Sequence, residues 1–231
     1  MVGDGSVSRN CREFLARLET VAGKSGRNPG EITVVAVSKT RPVEDVLAAV
    51  AAGMSHVGES KLQEAQSKFA GIDRNFTLHM IGHLQSNKVK AAIRQFDMIE
   101  SVDTVKLAQI IDEEAGRQNL TVPILLEVNC SREQQKYGLE PESAVEAAAL
   151  VAQLKHVELR GLMTVAPFVE DEALVRASFV ELRRLFENIK SSLPGLKNFS
   201  QLSMGMSDDW EIAVAEGSTM IRIGRALFGE R

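Results

Sequence analysis

Short runs of apolar, often β-branched residues alternate with longer amphipathic stretches along the chain. Such runs, bounded by polar and turn residues, are typical of strands. They predict eight strands, at residues 32–37, 56–58, 77–81, 98–100, 122–128, 158–163, 198–202 and 220–223. The amphipathic stretches predict a helix before the first strand and seven more between strands, at residues 7–22, 43–52, 60–69, 87–95, 104–118, 142–154, 171–191 and 208–215.

This regular alternation predicts an α/β fold built from βα units around a parallel sheet. Eight strands within about 200 residues match a single (β/α)8 TIM barrel, although a doubly wound open sheet gives nearly the same local pattern. Periodicity alone leaves both open. Because no linker, repeat or low-complexity tract divides the chain, we expect one domain over residues 1–231, with an N-terminal extension and helix at 1–30 and a barrel at 31–231.

The composition is that of a soluble globular protein, with 44% hydrophobic and 25% charged residues. The net charge of -4 gives no general attraction for nucleic acid or an anionic membrane. No apolar run approaches the roughly 20 residues of a membrane span, and the first ten residues lack the apolar core of a secretory signal, so a cytoplasmic location is predicted. Cys11 and Cys130 lie far apart without a CxxC partner, so neither a disulfide framework nor a zinc site is expected.

A lysine follows the first predicted strand, in the sequence Ser38-Lys39-Thr40. A side chain at the carboxyl end of a buried barrel strand points toward the mouth, where barrel active sites are built. Partial desolvation there lowers the pKa of a lysine and favours the neutral amine that condenses with an aldehyde. Taken alone, Lys39 is better interpreted as a lysine that extends from a strand end to solvent.

The segment from Ser203 to Glu211 joins the seventh strand to a helix. Asp208 and Glu211 have the spacing of a capping box, which predicts a helix start there. Gly205 allows close approach of a ligand, and the hydroxyls of Ser203 and Ser207 with nearby backbone N–H groups suit a phosphate. The alternative interpretation is an ordinary capped helix.

The turn Arg222-Ile223-Gly224-Arg225 follows the last strand and again combines glycine with backbone donors. Phosphate sites in these barrels are commonly made by the loops after strands seven and eight, where both segments fall. The alternative is a barrel-closing strand with a surface arginine.

Two further segments carry polar residues near predicted strand ends. His79 and His83 are four residues apart, but Gly82 and the preceding strand argue against a continuous helix, so a metal site is not expected. Ser86 or Asn87 is expected to cap the next helix. In Gly58-Glu59-Ser60, the glutamate is interpreted as an exposed carboxylate.

Taken together, four segments resemble the pyridoxal 5′-phosphate (PLP) homeostasis protein family, the YggS/PROSC type, whose fold is the alanine racemase N-terminal-like barrel. The resemblance runs from about residue 32 to residue 229 and rests on Val37 to Thr40, His79 to Lys88, Ser203 to Asp209 and Arg222 to Gly229. It implies that Lys39 holds PLP as a Schiff base and that Arg222 faces the pyridine nitrogen, keeping it unprotonated. It also implies a phosphate cradle drawn from Ser203, Gly205, Ser207, Gly224 and Arg225.

Three positions depart from the commoner family pattern. Ser60 stands where asparagine is usual, His83 where proline is frequent, and Leu78 where an aromatic residue often precedes the histidine. The departures concern contacts expected near the cofactor ring.

The resemblance implies a protein that buffers PLP or delivers it to apo PLP-dependent enzymes. Similar racemases take a second acid/base, a tyrosine, from a C-terminal domain, whereas Tyr137 is the only tyrosine here and lies in an unmatched segment. Efficient racemisation is therefore not expected. A weak racemase-like PLP enzyme and a Schiff-base aldolase without PLP stay open as alternatives, and a monomer is expected because no long exposed apolar seam is evident.

Overall fold

The structure, a computed structural model, describes residues 5–230. Its eight strands are β1 (Thr33–Val37), β2 (His56–Glu59), β3 (Thr77–Met80), β4 (Met98–Val102), β5 (Val122–Glu127), β6 (Val157–Met163), β7 (Gln201–Ser203) and β8 (Met220–Ile223). Over the same residues the α-helices are α1 (Ser6–Lys24), α2 (Val43–Ala51), α3 (Leu62–Lys68), α4 (Val89–Gln95), α5 (Val105–Arg117), α6 (Ala144–Val151), α7 (Glu172–Ser192), α8 (Trp210–Ala215) and α9 (Arg225–Phe228).

The strands form a closed parallel barrel in sequential order. Closure is made by β1, which pairs with β2 on one side and with β8 on the other, where Ala36 lies opposite Ile223. An open doubly wound sheet has two unpaired edges, so it is excluded, and the predicted (β/α)8 barrel is confirmed.

Alternating side chains divide each strand between two environments. Five apolar residues form a cluster inside the barrel: Val35, Met98, Leu125, Met163 and Met220. The intervening positions, such as Leu78, Ile99 and Leu126, pack outward against the surrounding helices in a much larger core. Polar residues on the inward face therefore lie in a confined space, and the carboxyl ends of the strands open at one mouth.

Helix α1 packs against α2, α8 and α9 on the outside of the barrel. Its buried residues recur every three or four positions, which places them on one face: Val7, Cys11, Phe14, Leu18 and Ala22. The Phe14 ring lies 5.0 Å from the Trp210 ring. Among residues 5–230, no helix has the length and apolar character needed to cross a membrane.

Several local predictions differ from the structure. The capping box at Asp208 and Glu211 is wrong, because α8 begins at Trp210 and the Asp209 carboxylate instead accepts a hydrogen bond from the Met206 N–H. Neither Ser86 nor Asn87 caps α4, which follows a single 3-10 turn over Ser86–Lys88. The seventh strand is only three residues long, and helix α9 was not predicted.

Close packing of β6 against β7 requires a glycine at position 161. A Cβ added to Gly161 would lie 1.7 Å from the Gln201 carbonyl oxygen, an approach that backbone movement alone could relieve. We expect Gly161→Ala to lower the free energy of unfolding by about 2–3 kcal/mol, measured by denaturant titration. The control is Gly23→Ala in α1, where an added Cβ meets nothing within 4 Å and stability should be unchanged or slightly higher. Equal stability of both variants would contradict the prediction.

Candidate functional site

Lys39 lies at the mouth, two residues beyond the end of β1. The turn after β8 is its neighbour, since a Cβ added to Gly224 would lie 3.5 Å from the Val37 carbonyl oxygen. Lys39 itself is exposed, so the strand end does not by itself give the desolvation expected from the sequence. The barrel therefore places the lysine beside the predicted phosphate turn with its side chain accessible from solvent.

The backbone that carries Lys39 is held in an unusual conformation. Thr40 has a φ of 66°, in the left-handed region that β-branched residues rarely adopt. Its N–H donates to the Glu64 carboxylate on α3. On the other side of Lys39, the Ser38 carbonyl accepts a 2.7 Å hydrogen bond from Lys68 Nζ, also on α3. Helix α3 thus holds the turn on both sides of the lysine.

Glu59, at the end of β2, is fully buried, so the expectation of an exposed carboxylate is wrong. Its Oε1 accepts hydrogen bonds from Lys68 Nζ and Ser38 Oγ, both at 2.6 Å. Burial raises the pKa of Glu59, and the hydrogen bonds from Lys68 and Ser38 oppose that shift. Sequence analysis missed this buried ion pair because its two members lie on a strand and on the far end of the following helix.

The two segments predicted to bind phosphate meet at the mouth. The Gly224 N–H donates to Ser207 Oγ at 3.4 Å. The N–H groups of Arg225 and Ala226 follow directly and, as the first residues of a helix, have no intrahelical acceptor. These donors, with the Ser207 hydroxyl, suit a phosphate group. The Arg225 side chain is exposed and paired with the Asp208 carboxylate.

Gly205 shapes the turn between β7 and α8. Its φ is +97°, and an added Cβ would lie 2.5 Å from the Ala213 Cβ on α8. Glycine is therefore required for the turn and for the packing of α8. The Gly205 carbonyl accepts a 2.9 Å hydrogen bond from the Arg222 N–H, which joins this turn to β8.

Ser203 and Arg222 lie together inside the barrel, both buried. Arg222 Nη1 donates to Ser203 Oγ at 2.6 Å, and Arg222 Nη2 donates to the Thr164 carbonyl at 2.7 Å. Ser203 Oγ donates to Glu100 Oε2 at 2.6 Å. The structure thus places Ser203 with Arg222, in a group separate from the meeting point of Ser207 and Gly224.

Glu100 on β4 is the centre of this interior group and was missed by sequence analysis, although a glutamate within an apolar strand was a usable signal. Burial raises the pKa of Glu100. The hydrogen bond and charge of His79, the charge of Arg222 and the hydrogen bond from Ser203 oppose burial, and together they bring the pKa of Glu100 below its usual range. His79 Nδ1 lies 2.7 Å from Glu100 Oε1. Glu100 is therefore an ionised carboxylate with donors on both oxygens.

The family departures occupy different places. Leu78 is fully buried on the outward face of β3, away from the barrel interior. His83 lies at the mouth, where its Nδ1 is 3.0 Å from Asp103 Oδ2 and its ring stacks on Tyr137 at 3.8 Å. The Ser60 backbone packs against Gly82.

Within residues 5–230, no three histidine, cysteine or acidic residues form a group that could hold a metal.

The buried ion pair behind Lys39 gives a stability prediction. Lys68 and Glu59 side chains are 7% and 0% exposed, so Lys68→Met leaves a buried carboxylate without its cation. We expect a loss of about 3–5 kcal/mol in the free energy of unfolding, measured by denaturant titration at neutral pH. Lys155→Met, at an exposed position, is the control and should change it by less than about 0.5 kcal/mol. A loss below about 1 kcal/mol for Lys68→Met would contradict the assignment.

Glu127, two residues beyond Leu125 on the inward face of β5, gives a pH prediction. Burial raises the pKa of Glu127 to about 7 from 4.5, although the charge of Arg222 opposes the shift. The folded state therefore binds a proton more tightly than the unfolded state, and this contribution to stability falls as pH rises between those two values.

Glu127→Gln should remove that dependence and raise the free energy of unfolding above pH 7 by about 1–3 kcal/mol, measured by denaturant titration at several pH values. Glu140→Gln, at an exposed position, serves as control. Parallel pH profiles for Glu127→Gln and the unmodified protein would show the prediction to be wrong.

Comparison with known proteins bears on this geometry. Residues 11–231 match the family model described as alanine racemase, N-terminal domain. The chain is 39% identical over 227 residues to the pyridoxal phosphate homeostasis protein of Pseudomonas aeruginosa, a match that covers 98% of this chain and 96% of that protein.

Two solved structures are similar over nearly the whole chain. An unknown protein from Bifidobacterium adolescentis has a TM-score of 0.93 and 36% identity, covering 96% of this chain and 94% of its own. PipY of Synechococcus elongatus PCC7942, solved with PLP bound, has a TM-score of 0.81 and 37% identity, covering 92% of this chain and 99% of its own. The chain therefore belongs to the pyridoxal phosphate homeostasis protein family, and its barrel to the family of the alanine racemase N-terminal domain.

Proposed function

We propose that this protein binds PLP at the mouth of the barrel and takes part in PLP homeostasis. The observation that carries the proposal is the adjacency of Gly224 and Val37, which brings a turn rich in phosphate donors next to the strand that leads into Lys39. The name of the Pseudomonas aeruginosa relative and the PLP bound to PipY support the same conclusion.

Lys39 is the residue that we assign to covalent attachment. Its neutral amine adds to the aldehyde carbon of PLP and water leaves, so that a C=N bond replaces the C=O bond, a Schiff base. When bound, PLP supplies an electron sink and a reactive aldehyde. The contacts of Glu64 and Lys68 on either side of Lys39 fix the backbone from which the amine reaches the mouth.

The phosphate group is assigned to the turns after β7 and β8. Ser207 supplies a hydroxyl, and Gly224, Arg225 and Ala226 supply backbone N–H groups. Gly205 shapes this turn through its packing on α8 instead of contacting the phosphate. The Arg225 guanidinium is already paired with Asp208, so its backbone N–H is the more effective donor.

Arg222 is assigned to the pyridine nitrogen of the ring. A guanidinium has donors and no acceptor, so the nitrogen beside it accepts a hydrogen bond and stays unprotonated. An unprotonated ring withdraws electrons weakly, which suits holding PLP better than amino acid chemistry. Ser203 belongs to the support of Arg222, not to the phosphate cradle, because its hydroxyl lies between Arg222 and Glu100.

A carrier role is favoured by the exposure of Lys39. An accessible attachment point lets an amine from solvent or from an apo PLP-dependent enzyme compete for the aldehyde, so that PLP is buffered and delivered. We propose that the protein does this as a cytoplasmic monomer, with residues 1–231 as one domain. No efficient racemisation is expected, and turnover of alanine by the PLP-loaded protein at ordinary enzymatic rates would contradict the carrier assignment.

Reduction of the PLP-loaded protein with borohydride tests the attachment. Mass spectrometry should find the reduced adduct on Lys39, Lys39→Ala should lose it, and Lys155→Ala, at an exposed position, should keep it. Ser207→Ala should keep the adduct but release PLP more readily, with an affinity about tenfold lower. An intact adduct and colour in Lys39→Ala would overturn the proposal, and a phosphate-dependent aldolase without PLP would show no chromophore at all.

A further inference from the structure

A continuous chain of hydrogen bonds runs through the barrel interior behind the proposed ring site. It begins at His56, whose Nδ1 lies 2.8 Å from His79 Nε2, and continues from His79 Nδ1 to Glu100 Oε1 at 2.7 Å. From Glu100 Oε2 it passes to Ser203 Oγ at 2.6 Å and from there to Arg222 Nη1 at 2.6 Å. Five side chains from five different strands are thus linked in one line.

The available hydrogens fix the direction of the three bonds that link Arg222, Ser203, Glu100 and His79. Arg222 can only donate, so Ser203 Oγ accepts from it and gives its own hydrogen to Glu100. Because Glu100 is ionised, it accepts on both oxygens, and His79 Nδ1 must carry a hydrogen. The fourth contact, between His56 Nδ1 and His79 Nε2, carries one hydrogen whose position depends on the tautomers of the two rings. The bonds of His79, Ser203 and Arg222 therefore all run toward Glu100, and a change at Glu100 alters two defined donors.

The two ends of the line lie at opposite faces of the barrel. Arg222 is held under the mouth by the Thr164 carbonyl, just beyond the end of β6. His56 is the first residue of β2 and lines a groove of about 370 Å³ between α1 and the opposite face of the barrel, together with Glu19. His56 is half-buried, so it can exchange protons with solvent there.

We propose that His79 and Glu100 are positioning residues that orient Arg222 toward the PLP ring, and that His56 connects them to the groove at the opposite face. This inference rests on the proposed contact between Arg222 and the pyridine nitrogen. Loss of the Glu100 charge or of the His79 Nδ1 donor leaves Ser203 without a fixed acceptor, so the guanidinium is no longer held in one orientation. The electron demand of the ring, and hence its absorption spectrum, then changes.

Other charged groups lie near this line of hydrogen bonds, and their effects on the spectrum have to be distinguished from those of His79 and Glu100. Arg222 also interacts electrostatically with Glu127 on β5 and with Asp209 before α8. The charge of Asp103, after β4, acts on Glu127. The pKa of His56 is lowered by burial and by His79, against the opposing effect of Glu100. Because Glu127 titrates near neutrality, the spectra are best compared in a Glu127→Gln background.

A matched pair of substitutions at His79 tests the positioning role. The amide nitrogen of asparagine can take the place of Nδ1 and donate to Glu100, whereas that of glutamine lies nearer the position of Nε2. The absorption spectrum of the PLP-loaded protein is recorded as a function of pH. His79→Gln should shift the midpoint pH of the spectral change by about one unit. His79→Asn should largely restore the original midpoint, and Glu100→Gln should shift it in the same direction as His79→Gln. His156→Asn, a histidine outside the line, is the control.

A second measurement uses the protein without PLP. Nitrogen NMR of the histidine rings should show His79 with its hydrogen on Nδ1 throughout the pH range of the folded protein. Glu100→Gln should lose that preference, because the neutral amide no longer requires a donor. An Nε2–H tautomer of His79 in the unmodified protein would overturn the inference, whatever the result with PLP.

The outcomes distinguish this inference from the proposed function. If the unmodified protein forms no borohydride-reducible adduct, the proposed function fails, and the contact with the ring on which the inference rests fails with it. If PLP is attached to Lys39 but His79→Asn and His79→Gln give superimposable spectra and pH profiles, the positioning role is wrong while PLP binding stands. If Glu100→Gln does not fold, the comparison of His79→Asn with His79→Gln still tests the positioning role.

Discussion

A carboxylate with no access to solvent at the centre of a closed barrel is the constraint on which the site depends. Transfer of an isolated carboxylate from water to such a place is prohibitive unless donors surround it. Glu100 is fully buried and receives hydrogen bonds from His79 and Ser203, with Arg222 Nη1 3.9 Å away. The identities of His79, Ser203 and Arg222 follow from this need, because each supplies a hydrogen or a positive charge to Glu100.

The site has two buried ionic groups, one on each face of the barrel wall. Inside, Glu100 fixes Arg222; outside, Glu59 fixes Lys68, which binds the backbone beside Lys39. Replacement of such pairs by packed apolar residues is often neutral or stabilising in proteins, so they are weak evidence for stability. Their value here is geometric: the guanidinium and the lysine-bearing turn approach the mouth from separately held positions.

Local patterns were sufficient for the eight strands, the N-terminal helix and the lysine at a strand end, because these depend on residues close in sequence. The sequence grouped Ser203 with Ser207 because the two lie close together in the chain, whereas strand alternation turns the Ser203 side chain into the barrel interior, toward Arg222. The partners of Glu59 and Glu100 could not be predicted, since they come from other elements brought near by barrel closure. The false capping box at Asp208 had the right spacing but the chain formed a tighter turn at Asp209.

The contrast between Arg222 and Lys39 bears directly on how a carrier works. Arg222 is buried and makes hydrogen bonds to Ser203 and the Thr164 carbonyl, whereas Lys39 is exposed on a turn whose backbone is held by helix α3. In the proposed complex, the ring and phosphate contacts therefore belong to the rigid barrel, and the covalent bond belongs to a side chain open to competing amines. Exchange of the aldehyde then requires movement of one lysine side chain and leaves the barrel unchanged, so attachment can be reversible without loss of the binding site.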